Sequence, residues 1–289
     1  MSELNIAEMR LEKFDYCDIT SLIELSNSVG WDYDQNEIMT ILSSGRVYGH
    51  KTNNGKIVSC AAIIEYNSIL ASIGMVIVHE EYRGLGLGRI TTQKCLESIS
   101  RSTTAMLIAT EAGKPMYKKM GFTEIDRIHK FLCDSYQPNE TIRNITCEIN
   151  SFGEEDLSQI VDLDQAAFGA NRSTFLINRI KQSNEALTVK SSEGKIIGYG
   201  LSILGPVNLI LGPIVAPDPQ TAFSLVDKLA KNHSGKLRID VPSENKLFIS
   251  LLEKCGFSKV SQPPIMVKNS DVLPERNNTL YGIAAQIFG

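Results

Sequence analysis

Apolar positions along the chain switch between two rhythms. Ser72 to Val78 is a β-branched, apolar run of strand type, and Gly88 to Ser100 carries apolar or small residues at helical spacing with no proline. The same alternation continues downstream. Ala105 to Thr110 predicts a strand, and Lys114-Pro115 to Met120-Gly121 predicts a short helix with proline at its start and glycine just past its end. Read this way throughout, the chain predicts helices near Asp18–Val29, Asp34–Ser44, Gly88–Arg101 and Lys114–Met120. A second set falls near Glu154–Phe168, Arg172–Ser183, Gln220–Asn232 and Glu244–Cys255. Each set is embedded in the same order: strand, two helices, a strand hairpin, a strand, a helix, a strand, a helix, a strand.

Local sequence repeats with that order. Thr52-Asn53-Asn54-Gly55-Lys56-Ile57-Val58 is similar to Ser191-Ser192-Glu193-Gly194-Lys195-Ile196-Ile197, and Tyr117 to Phe122 is similar to Leu252 to Phe257. The offsets are 194 − 55 = 139 and 256 − 121 = 135, nearly equal, which predicts a tandem duplication. Polar Gln137-Pro138-Asn139-Glu140-Thr141 marks the join. The expected domains are residues 1–137 and 146–289, with 138–145 as the linker.

The chemistry concentrates in Arg83-Gly84-Leu85-Gly86-Leu87-Gly88-Arg89, between the strand ending at Val78 and the helix that follows. Glycines at 84, 86 and 88 allow backbone conformations barred to residues with a Cβ, so successive N–H groups can converge on one point. The unpaired N–H groups and positive dipole of a helix start favour an anion there, and Arg83 and Arg89 add charge. A dinucleotide fingerprint fails because Arg89 or Thr91 stands where its third glycine belongs. A nucleoside-triphosphate loop fails because Gly88 is followed by Arg89-Ile90 rather than Lys-Ser/Thr. The remaining pattern, Arg83, Gly86 and Gly88 spaced Arg-x-x-Gly-x-Gly, resembles the coenzyme A pyrophosphate loop of the GNAT N-acetyltransferases. A glycine turn without a ligand is the plainer alternative, and the entropic cost of three alternating glycines weighs against it.

The resemblance implies a fold and several roles. The fold is α/β: two tandem GNAT folds, each a mixed, mostly antiparallel twisted sheet flanked by helices. The co-substrate is acetyl-CoA, held by Arg83, Gly84, Leu85, Gly86, Leu87, Gly88 and Arg89. Its pantetheine arm runs along a splayed strand at Val76, Ile77 and Val78. Tyr117-x-x-x-Gly121-Phe122 is similar to the family segment whose tyrosine protonates the departing thiolate, so Tyr117 takes the role of acid; otherwise it is a core tyrosine on an amphipathic helix. The acceptor is expected beside Trp31, Asp32 and Tyr33, between the first two helices, where an aromatic face and acids suit a cationic amine. In packing terms the same stretch is a capping box of Asp34 with Glu37 and a hydrophobic staple at Trp31. A general base is less marked: Glu111 is the first choice and Glu65 the second, each readable as a solvated surface carboxylate. His79 lies beside the loop, and His50, His129 and His233 have no partner pattern.

The second copy departs from the family at both positions. Its strand-to-helix turn reads Ala216-Pro217-Asp218-Pro219-Gln220, where the prolines lack N–H donors and Asp218 repels phosphate, and Leu252 replaces Tyr117. It is therefore expected to be a degenerate partner domain. Gly198-Tyr199-Gly200, Leu211 to Ala216, Ile239 to Pro242 and Tyr281-Gly282-Ile283 resemble a tandem branch of the family, as does Val29-Gly30-Trp31.

Charge narrows the partners. The chain has 29 basic and 33 acidic residues, net −4, without a basic stripe, which gives nucleic acid little to bind. Cys17, Cys60, Cys95, Cys133, Cys147 and Cys255 are scattered and no His cluster has metal-ligand spacing, so the expectation is reduced thiols, no metal and a cytoplasmic location. Ile196 to Pro217 is free of charge for 22 residues, but Gly205-Pro206 and Gly212-Pro213 break it, predicting two buried strands rather than a membrane span. The expected activity is acetyl transfer from acetyl-CoA to a primary amine of a small molecule or an exposed peptide amine, by a monomer or homodimer. The alternatives are a non-enzymatic acyl-CoA sensor and a GNAT with another acyl donor.

Overall fold

The computed structural model describes residues 9–138, 148–242 and 245–289, so the expected linker lies, apart from Pro138, outside the described residues, as does Cys147. The first copy runs β1 (Met9–Phe14), α1 (Ile19–Ser28), α2 (Gln35–Ser44), β2 (Arg46–Thr52), β3 (Ile57–Tyr66), β4 (Leu70–Val78), α3 (Leu87–Glu97), β5 (Thr104–Ile108), α4 (Lys114–Lys119) and β6 (Thr123–Cys133). The second runs β7 (Glu148–Ser151), α5 (Leu157–Phe168), α6 (Ser173–Gln182), β8 (Glu185–Lys190), β9 (Ile196–Leu204), β10 (Asn208–Val215), α7 (Pro219–Ala230), β11 (Lys236–Pro242), α8 (Lys246–Lys254), β12 (Ser258–Ser261), β13 (Pro264–Lys268) and β14 (Leu280–Gly282). The uncharged stretch is the β9–β10 hairpin, and no described helix is long and apolar enough to cross a membrane.

The repeated sequences fold alike. Gly55 and Gly194 are both left-handed, with N–H bonds to the Thr52 and Ser191 carbonyls, and the strands resume through Thr52 N to Lys56 O and Ser191 N to Lys195 O. Gly121 and Gly256 are left-handed too, and Phe122 N and Phe257 N bond the carbonyls of Tyr117 and Leu252. Glycine is favoured at each because side chains with a Cβ rarely adopt this conformation. One helix ends early: α3 stops at Glu97, where Ser98 Oγ donates to the Cys95 carbonyl and competes with the helical ladder.

One mixed, mostly antiparallel sheet carries both copies, in the order β1-β2-β3-β4-β5-β13-β6-β11-β10-β9-β8-β7. The copies exchange strands. β13, from the second, lies between β5 and β6 of the first, pairing Met266 with Leu107 on one side and Glu124 on the other. In return the far end of β6 lies between β11 and β12, with Phe131 opposite Ile239 and Lys259. Helices α2 and α6 meet where the copies join. There Arg179, fully buried, ion-pairs with Glu37 and donates to the Ala284 carbonyl at 2.9 Å, and Thr40 Oγ1 donates to Gln182 at 2.8 Å. Phe168, Phe175 and Phe288 pack with Tyr66 in the core that spans both copies, and Tyr66 donates to the Phe288 carbonyl at 2.8 Å.

Candidate active site

The site begins with an irregularity in β4. On the β3 side Ala62 faces Gly74 and Cys60 faces Ile77, so Met75 and Val76 together oppose Ala61: a bulge. Met75 takes φ 50°, rare for a residue with a side chain, and its carbonyl accepts from the Cys60 thiol at 3.2 Å. The bulge shifts the alternation of faces by one residue. Ala71, Ile73 and Val76 face one core, while Met75 and Ile77 face the other with α1 and α2.

β4 also parts from β5. The two are paired in parallel only from Leu70–Thr104 to Ile73–Leu107, and beyond Gly74 that edge of β4 has no β5 partner. Of the expected backbone contacts, Val76 and Val78 flank the amino end of α3: a Cβ on Gly88 would lie 3.4 Å from Val78 and 3.9 Å from Val76. Ile77 points its side chain to the other face.

Gly84 and Gly86 are left-handed at φ 82° and 77°, and a Cβ on either would meet nothing within 4 Å. Gly88 is not left-handed; it packs against β4. Gly86 is the N-cap residue of α3 and no side chain caps the helix, so its leading N–H groups have no side-chain acceptor. Leu85, Gly86 and Arg89 border a groove of about 520 Å³ running along the outer side of α3. Leu87 is buried beneath the loop.

Tyr117 lies on α4, 7 % exposed, beside Phe122 at 5.9 Å between ring centroids. Met116, its neighbour on α4, has its sulfur 3.6 Å from where a Gly88 Cβ would stand, which ties α4 to the loop. The Tyr117 hydroxyl has no hydrogen-bond partner among the described residues. Burial raises its pKa, so the phenol holds its proton at neutral pH.

On the α1–α2 side of the β4 bulge a cavity of about 470 Å³ opens between the copies. The first copy gives it Trp31, Asp32 and Tyr33, the bulge at Gly74 and Met75, and Thr110 and Glu111 after β5; the second gives the Gly205-Pro206 turn, Arg238 and Ile287. The Trp31 and Tyr33 rings are 6.1 Å apart, and burial, with the Glu37 carboxylate next, pushes the Tyr33 phenol up. Only half of the expected capping box forms: Asp34 accepts from Glu37 N at 2.8 Å, while the Glu37 carboxylate turns to Arg179 and Gln182. Glu111 stands exposed at the rim, 4.0 Å from Arg127. Glu65 is paired with Arg46 at the opposite end of β3 from the loop, away from both cleft and cavity. Among the described residues no group of side chains is arranged to hold a metal.

The chain matches the acetyltransferase (GNAT) domain twice, over residues 34–131 and 160–282. It is 36 % identical over 272 residues to an uncharacterized N-acetyltransferase of Bacillus subtilis, YitH, covering 94 % of this chain and 95 % of that one. The chain belongs to the GNAT acetyltransferase family. Its fold matches a Pyrococcus horikoshii structure assigned to the acetyltransferases at TM-score 0.81, with 20 % identity over 100 % of this chain and 99 % of that one. A tandem GNAT protein from the clavulanic acid biosynthesis pathway matches at TM-score 0.65 and 14 % identity, over 90 % and 98 %.

Within this tandem GNAT chain the second copy's cleft is filled from inside. β10 parts from β11 after Ile210, as β4 parts from β5, but β14 enters the gap and pairs with β10 at Ile214–Gly282 and Val215–Leu280. Ile283 N then bonds Asp240 O on β11. The amino end of α7 is closed as well: Asp218 accepts from Gln220 N at 3.0 Å and Thr221 N at 2.8 Å. The chain's own carboxylate thus takes the helix-start N–H groups that no side chain takes at α3.

Sequence reading missed the second copy's share of the cavity, and Lys130 and Arg238 within it. Each sits beside apolar residues in a strand that carries other charges, His129-Lys130-Phe131 and Leu237-Arg238-Ile239-Asp240, so nothing local singles it out.

Proposed function

We propose that the protein transfers the acetyl group of acetyl-CoA to a primary amine, at one site, in the first copy. The observation that carries this reading is the contrast between copies: α3 is uncapped beside an unpaired stretch of β4, whereas α7 is capped by Asp218 and β14 fills the equivalent gap. The loop of residues 83–89 suits the pyrophosphate, with Arg83 and Arg89 adding charge, and the free edge of β4 suits the pantetheine amides.

The thioester then lies near the β4 bulge, with the acceptor in the cavity on Trp31, Asp32 and Tyr33. A backbone N–H of the bulge polarises the acetyl carbonyl. The amine lone pair forms the C–N bond, the C–S bond breaks, and the sulfur leaves with its electron pair. Tyr117 gives that sulfur a proton, and the proton lost by the amine passes to Glu111 or to water. Most of the acceleration comes from holding thioester and amine together. The reading is tested by titrating acetyl-CoA calorimetrically and following thiol release over a panel of amines. Tyr117→Phe is expected to bind acetyl-CoA as the wild type does and to lose about 100-fold in kcat. Wild-type protein that binds no acetyl-CoA, or binds it and acetylates no amine, refutes the proposal.

A further inference from the structure

The cavity carries an ionic pattern that acetyl transfer to a simple amine does not require. Six charged side chains line it: Asp32, Asp34, Glu37, Glu111, Lys130 and Arg238. Most are spent on neighbours. Asp34 caps α2, Glu37 pairs with Arg179, and Glu111 stands at 4.0 Å from Arg127. Arg238 gives Nε and Nη2 to Asp240, at 2.9 and 2.7 Å, which cancels its charge but leaves the rest of its N–H fork without a partner among the described residues.

Lys130 is different. It is half-buried on β6, with Asp240 opposite it on β11, and has no ion-pair partner among the described residues. Burial, and then Arg238, lower its pKa against the opposing pull of the Asp240 and Asp32 carboxylates, which act on it without a direct ion pair. Asp32, exposed at the mouth, likewise has no direct ion pair or hydrogen bond among the described residues, although its charge reaches Lys130. The cavity therefore holds one carboxylate and one ammonium that sense each other's charge but form no direct ion pair among the described residues. β6 stands three strands from β4 in the sheet, about 14 Å at the usual inter-strand spacing. Trp31, Ile203, Ile210 and Ile287 line the cavity as well and give it apolar wall.

Resting on the acetyl-transfer reading, we propose that the acceptor is an amino acid of the ω type, its carboxylate seated on Lys130 and the remaining N–H groups of Arg238 and its amine turned to the β4 bulge past Asp32. A monoanion fits better than a phosphate dianion, because of the two cations lining the cavity Arg238 is ion-paired with Asp240 and only Lys130 is without a direct ion pair among the described residues. A methylene spacer fits the apolar wall and the distance between the ends.

The test compares 6-aminohexanoate with hexylamine, equal in reach and differing in the carboxylate, by initial rates with acetyl-CoA and by calorimetric binding in the presence of coenzyme A. The expected result is a kcat/KM at least about tenfold higher for 6-aminohexanoate, in keeping with one charge-assisted contact. In Lys130→Met that ratio falls toward one through KM, and in Lys130→Arg it is retained. An unchanged acetyl-CoA affinity in each variant shows that the fold is kept. Equal use of the two amines, a preference that survives in Lys130→Met, or binding of neither overturns the inference. Failure to bind acetyl-CoA instead overturns the reading on which it rests.

Discussion

Gly74 and Ile287 touch where β4 begins to part from β5: a Cβ on Gly74 would lie 2.6 Å from Ile287 Cγ1 and 2.8 Å from its Cα. Residues more than two hundred positions apart thus share one wall of the cavity, and only glycine leaves room for the segment that carries Ile287. Gly74→Ala is expected to push that segment outward, costing about 1–3 kcal/mol. Urea unfolding reads the loss. Because Ile287 lines the cavity, the acceptor KM rises in the same variant.

The two amino-end turns predict opposite outcomes. Gly86→Ala forces a Cβ into φ 77°, costing about 1 kcal/mol or more and misaligning the N–H groups, so acetyl-CoA affinity drops about tenfold or more by calorimetry. Asp218→Ala removes the α7 cap and costs about 1 kcal/mol, yet leaves acetyl-CoA affinity as it was. A Gly86→Ala variant with normal affinity contradicts the pyrophosphate assignment.

Trp31 lines the cavity and not the cleft behind the loop. Trp31→Ala is expected to raise the acceptor KM several-fold more than that of acetyl-CoA, read from paired saturation curves. Equal effects on both reduce the ring to packing.

Stability should fall on mild acidification. His50 is 3 % exposed, with Nδ1 2.7 Å from Ser59 Oγ, and burial lowers its pKa below 6.5; burial acts on His129 in the same direction. As pH drops through 6.5 the unfolded chain takes up protons that the native chain refuses, so the native state loses ground, by at most about 1.4 kcal/mol per pH unit for each group. The loss continues until the lowered native pKa is passed. Urea midpoints between pH 7.5 and 5.5 check this, and His50→Asn is expected to flatten the curve.

The helices, the duplicated turns and the glycine loop were legible in the sequence because each is a local matter. Gly55 and Gly194, or Gly121 and Gly256, mark their turns by a backbone demand that glycine meets. The cavity was half legible. Trp31, Asp32 and Tyr33 stand at the join of two helices, where the family resemblance puts the acceptor, but Arg238 and Ile287 reach it through long-range pairing, and a strand's alternation says which face is apolar without naming its neighbour. Pro264 to Lys268 reads as an ordinary buried strand, and nothing local assigns it to β5 of the other copy. Glu65 shows the same limit: its place at a strand end was visible, but which end of the sheet holds the site was not.

The exchange of β13 for the end of β6 bears on biosynthesis. Until residue 268 has left the ribosome, the outer edge of β5 has no hydrogen-bonding mate, although more than half of the polypeptide is already made. The emerging front copy is thus an incomplete template, exposed to mispairing with other nascent chains, and truncation ahead of Pro264 should yield aggregates rather than a smaller enzyme.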